Sequence, residues 1–307
     1  MTGALTGATH ARPGAPRAAL RRLKKQAKRI HAHALAARLR LRNRFATTSV
    51  LGDTPVAVSL TSYGQRIATV ALAIESIARG RVRPQEFILW LDDEAAYAQL
   101  PPSLLRLQRR GLSIRLCDNL GPHTKYYPYL EATAADGRLP LATADDDILY
   151  PRTWLLDLYR GHRQHPDAVN CHWASVVGVA EGRIAPYTGW ARCRDTSAST
   201  AHFATGVSGV LYPPALLAEL AALGRAFKPV CPSADDIWLH WVALRTGTKV
   251  RQVAPRARHF PLLPGTQEQT LLAGNVIGSG NDTVFSRLYT EQDIALLGLA
   301  RGEPISH

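Results

Sequence analysis

The chain has 307 residues and a mass of 33.5 kDa, with 46% hydrophobic and 20% charged residues, enough to bury a sizeable core in one large or two small domains. Four scattered cysteines (Cys117, Cys171, Cys193, Cys231) with no CxxC pair exclude a disulfide framework and a zinc site built from them, and no window approaches 18 apolar residues or a secretory core, so neither a membrane span nor export is expected. The formal charge of +13 is uneven: residues 1–50 carry twelve Arg and Lys and no acid, leaving 25 basic against 24 acidic groups in a nearly neutral remainder, which argues against a nucleic-acid groove in the body.

In chain order, residues 1–16 read as disordered. Residues 17–44 read as a basic amphipathic helix with Leu20, Leu23, Ala27, Ile30, Ala34, Ala37 and Leu41 as its apolar stripe. Such a helix suits an anionic membrane surface first, then a short coiled coil or a solvated tail with nucleic-acid affinity. Residues 46–53 would be a linker, dividing the chain into a tail (1–50) and a body (51–307). The body opens with a buried strand at 54–63 and a helix at 67–78. A strand at 86–91 follows, ending in Asp92-Asp93-Glu94, then a helix at 100–110 and a strand at 113–117. This alternation predicts βαβ units and an α/β fold with a mostly parallel sheet flanked by helices. Further on come a helix at 153–164, a strand-like stretch at 169–179, and a glycine-rich turn and strand at 203–213. Helices at 216–223 and 233–244, the latter with Ser233 as N-cap, precede a strand at 249–253, a long loop and helices near 284–289 and 291–297.

In sheets of this kind ligands sit beyond the carboxyl ends of the strands. There, Leu141-Ala-Thr-Ala ends abruptly in Asp145, Asp146 and Asp147. Three adjacent carboxylates repel one another unless a positive group sits on them, and hard oxygen donors suit Mn²⁺ or Mg²⁺ shared with substrate phosphates. The triplet therefore reads as a divalent-metal and nucleotide-sugar site, with Asp145 and Asp147 on one side; a capping acid for the following helix is the plainer alternative. Asp235 and Asp236 open a helix, where the dipole alone could explain them, or one of them is a general base for an attacking hydroxyl. Arg66 and Lys125 could neutralise a diphosphate. Trp190, Trp238 and Trp241 could stack on a sugar, although the spacing of the last two favours core.

The strand and turn at 56–63, Asp92-Asp93, Thr143-Ala-Asp-Asp-Asp147, Thr205-Gly-Val-Ser-Gly209 and Ala234-Asp-Asp-Ile-Trp238 together resemble nucleotide-sugar-dependent glycosyltransferases of the GT-A fold, nearest the family 2 type, over residues 54–260. The resemblance implies transfer of one sugar from a UDP- or GDP-type donor to a carbohydrate or lipid-linked hydroxyl acceptor, with inversion; the scattered thiols and the basic helix at 17–44 add the expectation of a cytoplasmic protein that can lie on the inner face of the cell membrane. It implies donor contacts from Thr61, Tyr63, Arg66, Asp92 or Asp93, Lys125, Asp145 and Asp146. Asp147, with Asp145 and the late His259, would hold the metal. Gly206, Ser208, Gly209 and Trp238 would line the acceptor side, and Asp236 or Asp235 would be the base. The chain departs from that pattern in three places. Leu60-Thr-Ser-Tyr replaces the usual Pro-Thr-Tyr-Asn turn, Asp-Asp replaces Glu-Asp, and the Gln-x-x-Arg-Trp signature of processive synthases is absent. A metal-dependent phosphotransferase or phosphohydrolase would use the same acids, but no glycine-rich phosphate loop follows the first strand. The remaining alternative is a non-catalytic nucleic-acid binder acting through the tail.

Overall fold

The first long apolar run, Val56 to Leu60, loses all exposure at Val56, Ala57, Val58 and Leu60. A strand apolar on both faces must lie inside a sheet covered on both sides. The structure is a computed structural model that describes residues 15–133, 138–266 and 280–301. Its first half comprises α1 (Ala15–Phe45), β1 (Thr54–Thr61), α2 (Val70–Ala78), β2 (Pro84–Leu91), α3 (Glu94–Ala98), α4 (Pro102–Arg109), β3 (Ser113–Leu116), α5 (Tyr127–Ala132) and β4 (Leu141–Thr143). The second half opens with α6 (Trp154–Gln164), then β5 (Val169–Cys171), β6 (Ala174–Val176), β7 (Val179–Ala180), β8 (Arg183–Ile184), β9 (Ala191–Arg192) and β10 (Ala198–Ser199). It closes with β11 (His202–Ala204), β12 (Val210–Tyr212), α7 (Pro214–Ala222), α8 (Phe227–Val230), α9 (Asp235–Arg245), β13 (Val250–Gln252), α10 (Gly280–Leu288) and α11 (Glu291–Arg301).

The main sheet has eight strands in the order β10-β13-β5-β12-β4-β1-β2-β3. Strands β4, β1, β2 and β3 run parallel, as does β13 with β5, so the expected α/β class with a mostly parallel sheet holds. Between β4 and β5, β12 runs antiparallel to both. The two-residue side-chain period sorts β1 and β2 onto two cores: Ala57, Ile88 and Trp90 face one, and Val58, Leu60, Phe87 and Leu89 face the other. The single strand expected over 169–179 is three short pieces, and β6 leaves the main sheet to pair with β11 and β9. The N-cap of α9 is Ala234 rather than Ser233, because the helix begins with the acid pair itself.

The expected apolar stripe of α1 is not the one that packs. Ala32, Leu35, Ala36 and Leu39 are buried against Leu72, Ala73, Leu149 and Leu263, whereas Leu23, Ile30 and Leu41 are 64%, 64% and 59% exposed. An Ala-rich helix offers small residues on more than one face, and a polar anchor selects among them. That anchor is Glu75 of α2, fully buried. It accepts from Arg42 Nε at 3.1 Å and Asn43 Nδ2 at 3.2 Å on α1, and it pairs with Arg110 beyond α4. The stretch 46–53 is likewise tied down, with Val50 fully buried and its N–H donating to Arg110 O at 2.9 Å. Residues 1–14 of the segment expected to be disordered lie outside the described residues; Ala15 and Pro16 begin α1.

Candidate functional site

Because β12 is antiparallel to β4, Val210 at its start pairs with Thr143 at the end of β4. The turn before β12 therefore lies at the same edge of the sheet as the acidic triplet. Each carboxylate of that triplet meets a cationic partner, with Arg66 serving two of them. Asp146 accepts from Ser62 Oγ at 2.7 Å and from Arg66 Nη1 at 2.8 Å, so both its oxygens are committed to the exit of β1 and it fastens the loop instead of facing a ligand. Asp146 was expected among the donor contacts, and these two bonds are what the fold gives it. Asp145 Oδ1 lies 2.5 Å from Lys125 Nζ, and its backbone N–H donates to Tyr150 Oη at 2.7 Å. Asp147 Oδ2 stands 3.4 Å from Arg66 Nη1. Burial, then Asp145, push the Asp147 carboxyl up to about 6 against the pull of Arg66. Arg66 also covers the half-exposed ring of Tyr63 at 5.6 Å, and Thr61 Oγ1 donates to Trp90 O at 3.2 Å.

Lys125 closes a short 3₁₀ turn, Gly121–Lys125, that two buried groups hold in place. Ser59 Oγ donates to Lys125 O at 2.6 Å while accepting from Trp90 Nε1, and His123 Nε2 lies 2.7 Å from Cys231 O with its ring stacked on Phe227. The turn is thereby pinned to the chain just ahead of α9. Burial disfavours the ammonium of Lys125, but Asp145, Asp235 and Asp236 outweigh it and raise its pKa.

Both oxygens of Asp236 accept from the Gly206 N–H, at 3.2 and 3.1 Å. Its carboxyl is pushed up by burial and by Asp235, with Lys125 and the Gly206 N–H pulling the other way. A Cβ on Gly206 would stand 2.9 Å from Asp236 Oδ1, so only glycine lets the backbone reach that carboxylate. Ser208 and Gly209 have a different task from the acceptor contact expected of them. Ser208 is buried with its Oγ donating to Arg258 O at 2.6 Å, and Gly209 holds φ +95° against the Trp154 indole, whose Nε1 donates to Ser208 O at 3.0 Å. They fix the course of the turn. Gly209→Ala combines an overpacked contact with a left-handed backbone, and its denaturant midpoint should report a loss of about 1–3 kcal/mol.

Three further expectations change. Trp238 is buried and stacked on Trp241 at 5.1 Å, so it is core and not an acceptor platform. The ring of His259 packs against Trp173 at 3.9 Å, and its pKa is lowered by burial and by Arg192 and Lys28. At the end of β2, Asp93 is the N-cap of α3, accepting from Ala96 N at 3.0 Å, and Asp92 beside it is half-buried. Sequence reasoning missed Ser62, Tyr150 and His123. A small hydroxyl, a tyrosine and a lone histidine carry no signal until the fold brings their partners near. Among the described residues, the group of three potential metal donors within 4.8 Å is Cys193, Asp195 and His202, beside the small sheet and not at the triplet.

No protein-family model and no curated protein matches the chain. Among solved structures, the chain is similar to residues 1–349 of S. aureus TarS, with a TM-score of 0.46 and 14% identity over 66% of this chain and 58% of that one. It is also similar to the inositol-1-phosphate CTP transferase from T. maritima, with a TM-score of 0.41 and 12% identity over 83% of this chain and 100% of that one. Likeness at this level fixes no substrate and no reaction. The side chains must carry those.

Proposed function

We propose that this protein transfers a single sugar from a nucleoside-diphosphate sugar of the UDP or GDP type to the hydroxyl of a carbohydrate or lipid-linked acceptor, with inversion. The observation that carries the reading is the gathering, at one edge of the sheet, of an acidic pair and a second acid with Lys125 between them: Asp145 touches the ammonium, and Asp235 and Asp236 act on it from the other side. Asp145 and Asp147 fit a divalent ion. They are hard donors, two in number as Mn²⁺ or Mg²⁺ commonly takes from protein, and the three carboxylates of the triplet share two cations, Arg66 and Lys125. A metal bound there supplies Lewis-acid neutralisation of the departing diphosphate.

The chain's own residues do the rest. Arg66 and Lys125 hold phosphate oxygens, with Thr61, Tyr63 and Asp92 on the nucleoside side at the ends of β1 and β2. Asp236, oriented by the Gly206 N–H, takes the proton of the attacking hydroxyl as that oxygen bonds to the anomeric carbon and the nucleoside diphosphate leaves. Burial and Asp235 raise its affinity for that proton toward the working pH, which is what a general base needs. The test is a thermal-shift panel of nucleoside diphosphates and sugar nucleotides with and without manganese. A matching nucleotide at a hundredfold its Kd should stabilise the wild type by about 2.7 kcal/mol in the presence of metal, and Asp147→Ala should lose that shift. Binding of equal size under chelation would sink the metal assignment.

A further inference from the structure

At the far end of α2 from Arg66, the docked part of α1 and the turn after Tyr150 border an open cavity of about 260 Å³ lined by Arg38, Leu39, Arg42, Arg79 and Arg152. A nine-residue helix is about 13 Å long, which sets this cavity apart from the acidic edge. Four guanidinium groups surround one space, and the acid that faces them, Glu75, is shared by Arg42 and Arg110. Arg152 Nε donates to Arg79 O at 3.2 Å, closing the carboxyl end of α2 with one of its five N–H groups. Arg79 Nε is buried and has no hydrogen-bond partner among the described residues. An unsatisfied buried donor and mutually repelling cations both cost stability, and a multiply charged oxyanion removes both costs.

The geometry points to a binding site for a phosphate group in this cavity, held by Arg38, Arg42, Arg79 and Arg152. Burial, followed by the neighbouring cations Arg152, Arg42 and Arg38, lowers the pKa of Arg79. The guanidinium fork matches phosphate oxygens in pairs, and the cavity admits a phosphomonoester, a pyrophosphate or a lipid headgroup. The position on α1 is informative. Successive residues turn by about 100°, which puts Arg38 and Arg42 between the docked stripe (Ala32, Leu35, Ala36, Leu39) and the outward stripe of Leu23, Ile30, Leu41 and Phe45, the last 70% exposed. A surface met by the outer stripe would meet the cavity's rim. This site is independent of the sugar-transfer reading.

The experiment is titration of the full chain with inorganic pyrophosphate under chelation, in the wild type, Arg38→Gln and Arg38→Gln/Arg152→Gln, alongside flotation with phosphatidylglycerol and with phosphatidylcholine vesicles. Charge-assisted hydrogen bonds contribute about 1.5–3 kcal/mol, so pyrophosphate binding should weaken about tenfold or more in the double variant, while manganese-dependent binding of a nucleoside diphosphate stays unchanged. Arg38 is exposed, so the single variant keeps the comparison readable if the double variant unfolds. Flotation on phosphatidylglycerol that is lost in the variants assigns the phosphate to a headgroup; flotation equal in all three, with pyrophosphate binding weakened, assigns it to a soluble anion. Equal pyrophosphate affinity and stoichiometry in wild type and variants overturns the site.

Discussion

Asp236→Asn should lower turnover about 10²- to 10⁴-fold, measured as nucleoside diphosphate released from the sugar nucleotide, while donor binding persists and the melting temperature at neutral pH rises. The loss follows from removing the proton acceptor. The gain follows from the sign of its titration. Burial and Asp235 raise the carboxyl's pKa in the fold, so the native state favours the protonated form, and ionising it at neutral pH destabilises the protein. An amide keeps an oxygen for the Gly206 N–H and carries no charge. The stability gap between variant and wild type should therefore be absent in acid, open as pH rises through the unfolded carboxylate value of about 4, and level off above the raised folded value. Turnover of the wild type should climb over the same upper range as Asp236 loses its proton. Unchanged turnover in the variant would move the base to Asp235. A fall in melting temperature at neutral pH would mean that the Gly206 bond needs the charge.

Glu75→Ala should cost about 3–5 kcal/mol, a large share of the 5–15 kcal/mol that holds an ordinary domain together. Removing one member of a buried ionic network leaves the others uncompensated. Here Arg110, itself buried, and the half-buried Arg42 lose their acid, and Asn43 loses one of its two acceptors, keeping Ser103 O. Urea denaturation measures the loss. Limited proteolysis gives its location, since cleavage should concentrate in α1 and in residues 46–53, which depend on the same cluster. A cost below about 1 kcal/mol, typical of exposed pairs, would mean that apolar packing alone holds α1 in place.

The first two strands of the parallel half were legible because each is eight residues long, largely buried on both faces and followed by a helical segment. The acids at 92–93 and 145–147 were legible for the same reason, since a strand's end fixes where its ligand-facing loop lies. What failed to show was decided by tertiary contact. Strands of two or three residues, as in β6 to β11, are too short to carry a period, so a broken stretch at 169–179 looked continuous. The two stripes of α1 differ little in hydrophobicity, and the choice between them falls to polar partners distant in sequence: Glu75, Ser103 and Arg106. Asp146 looked equivalent to its neighbours until Ser62 and Arg66 claimed both its oxygens. Trp238 and His259 have the right chemistry in the wrong surroundings: one is spent on the core, and the other stands against Trp173.

The lone antiparallel strand in the middle of the sheet also sets an order of assembly. Residues 54–143 contain all of β1 to β4, so the parallel unit bearing Ser62 and Arg66 can form early, with β4 as its outer strand. The partner of that edge, Val210, lies 67 residues further on. At 5–20 residues per second a ribosome takes roughly 3–13 s to supply it. During that interval an apolar, unpaired strand edge is exposed to any neighbouring chain, the condition that favours misassociation. Insertion of β12 seals the edge, and in the same event it brings Gly206 to the place where α9, made after it, will deliver Asp236.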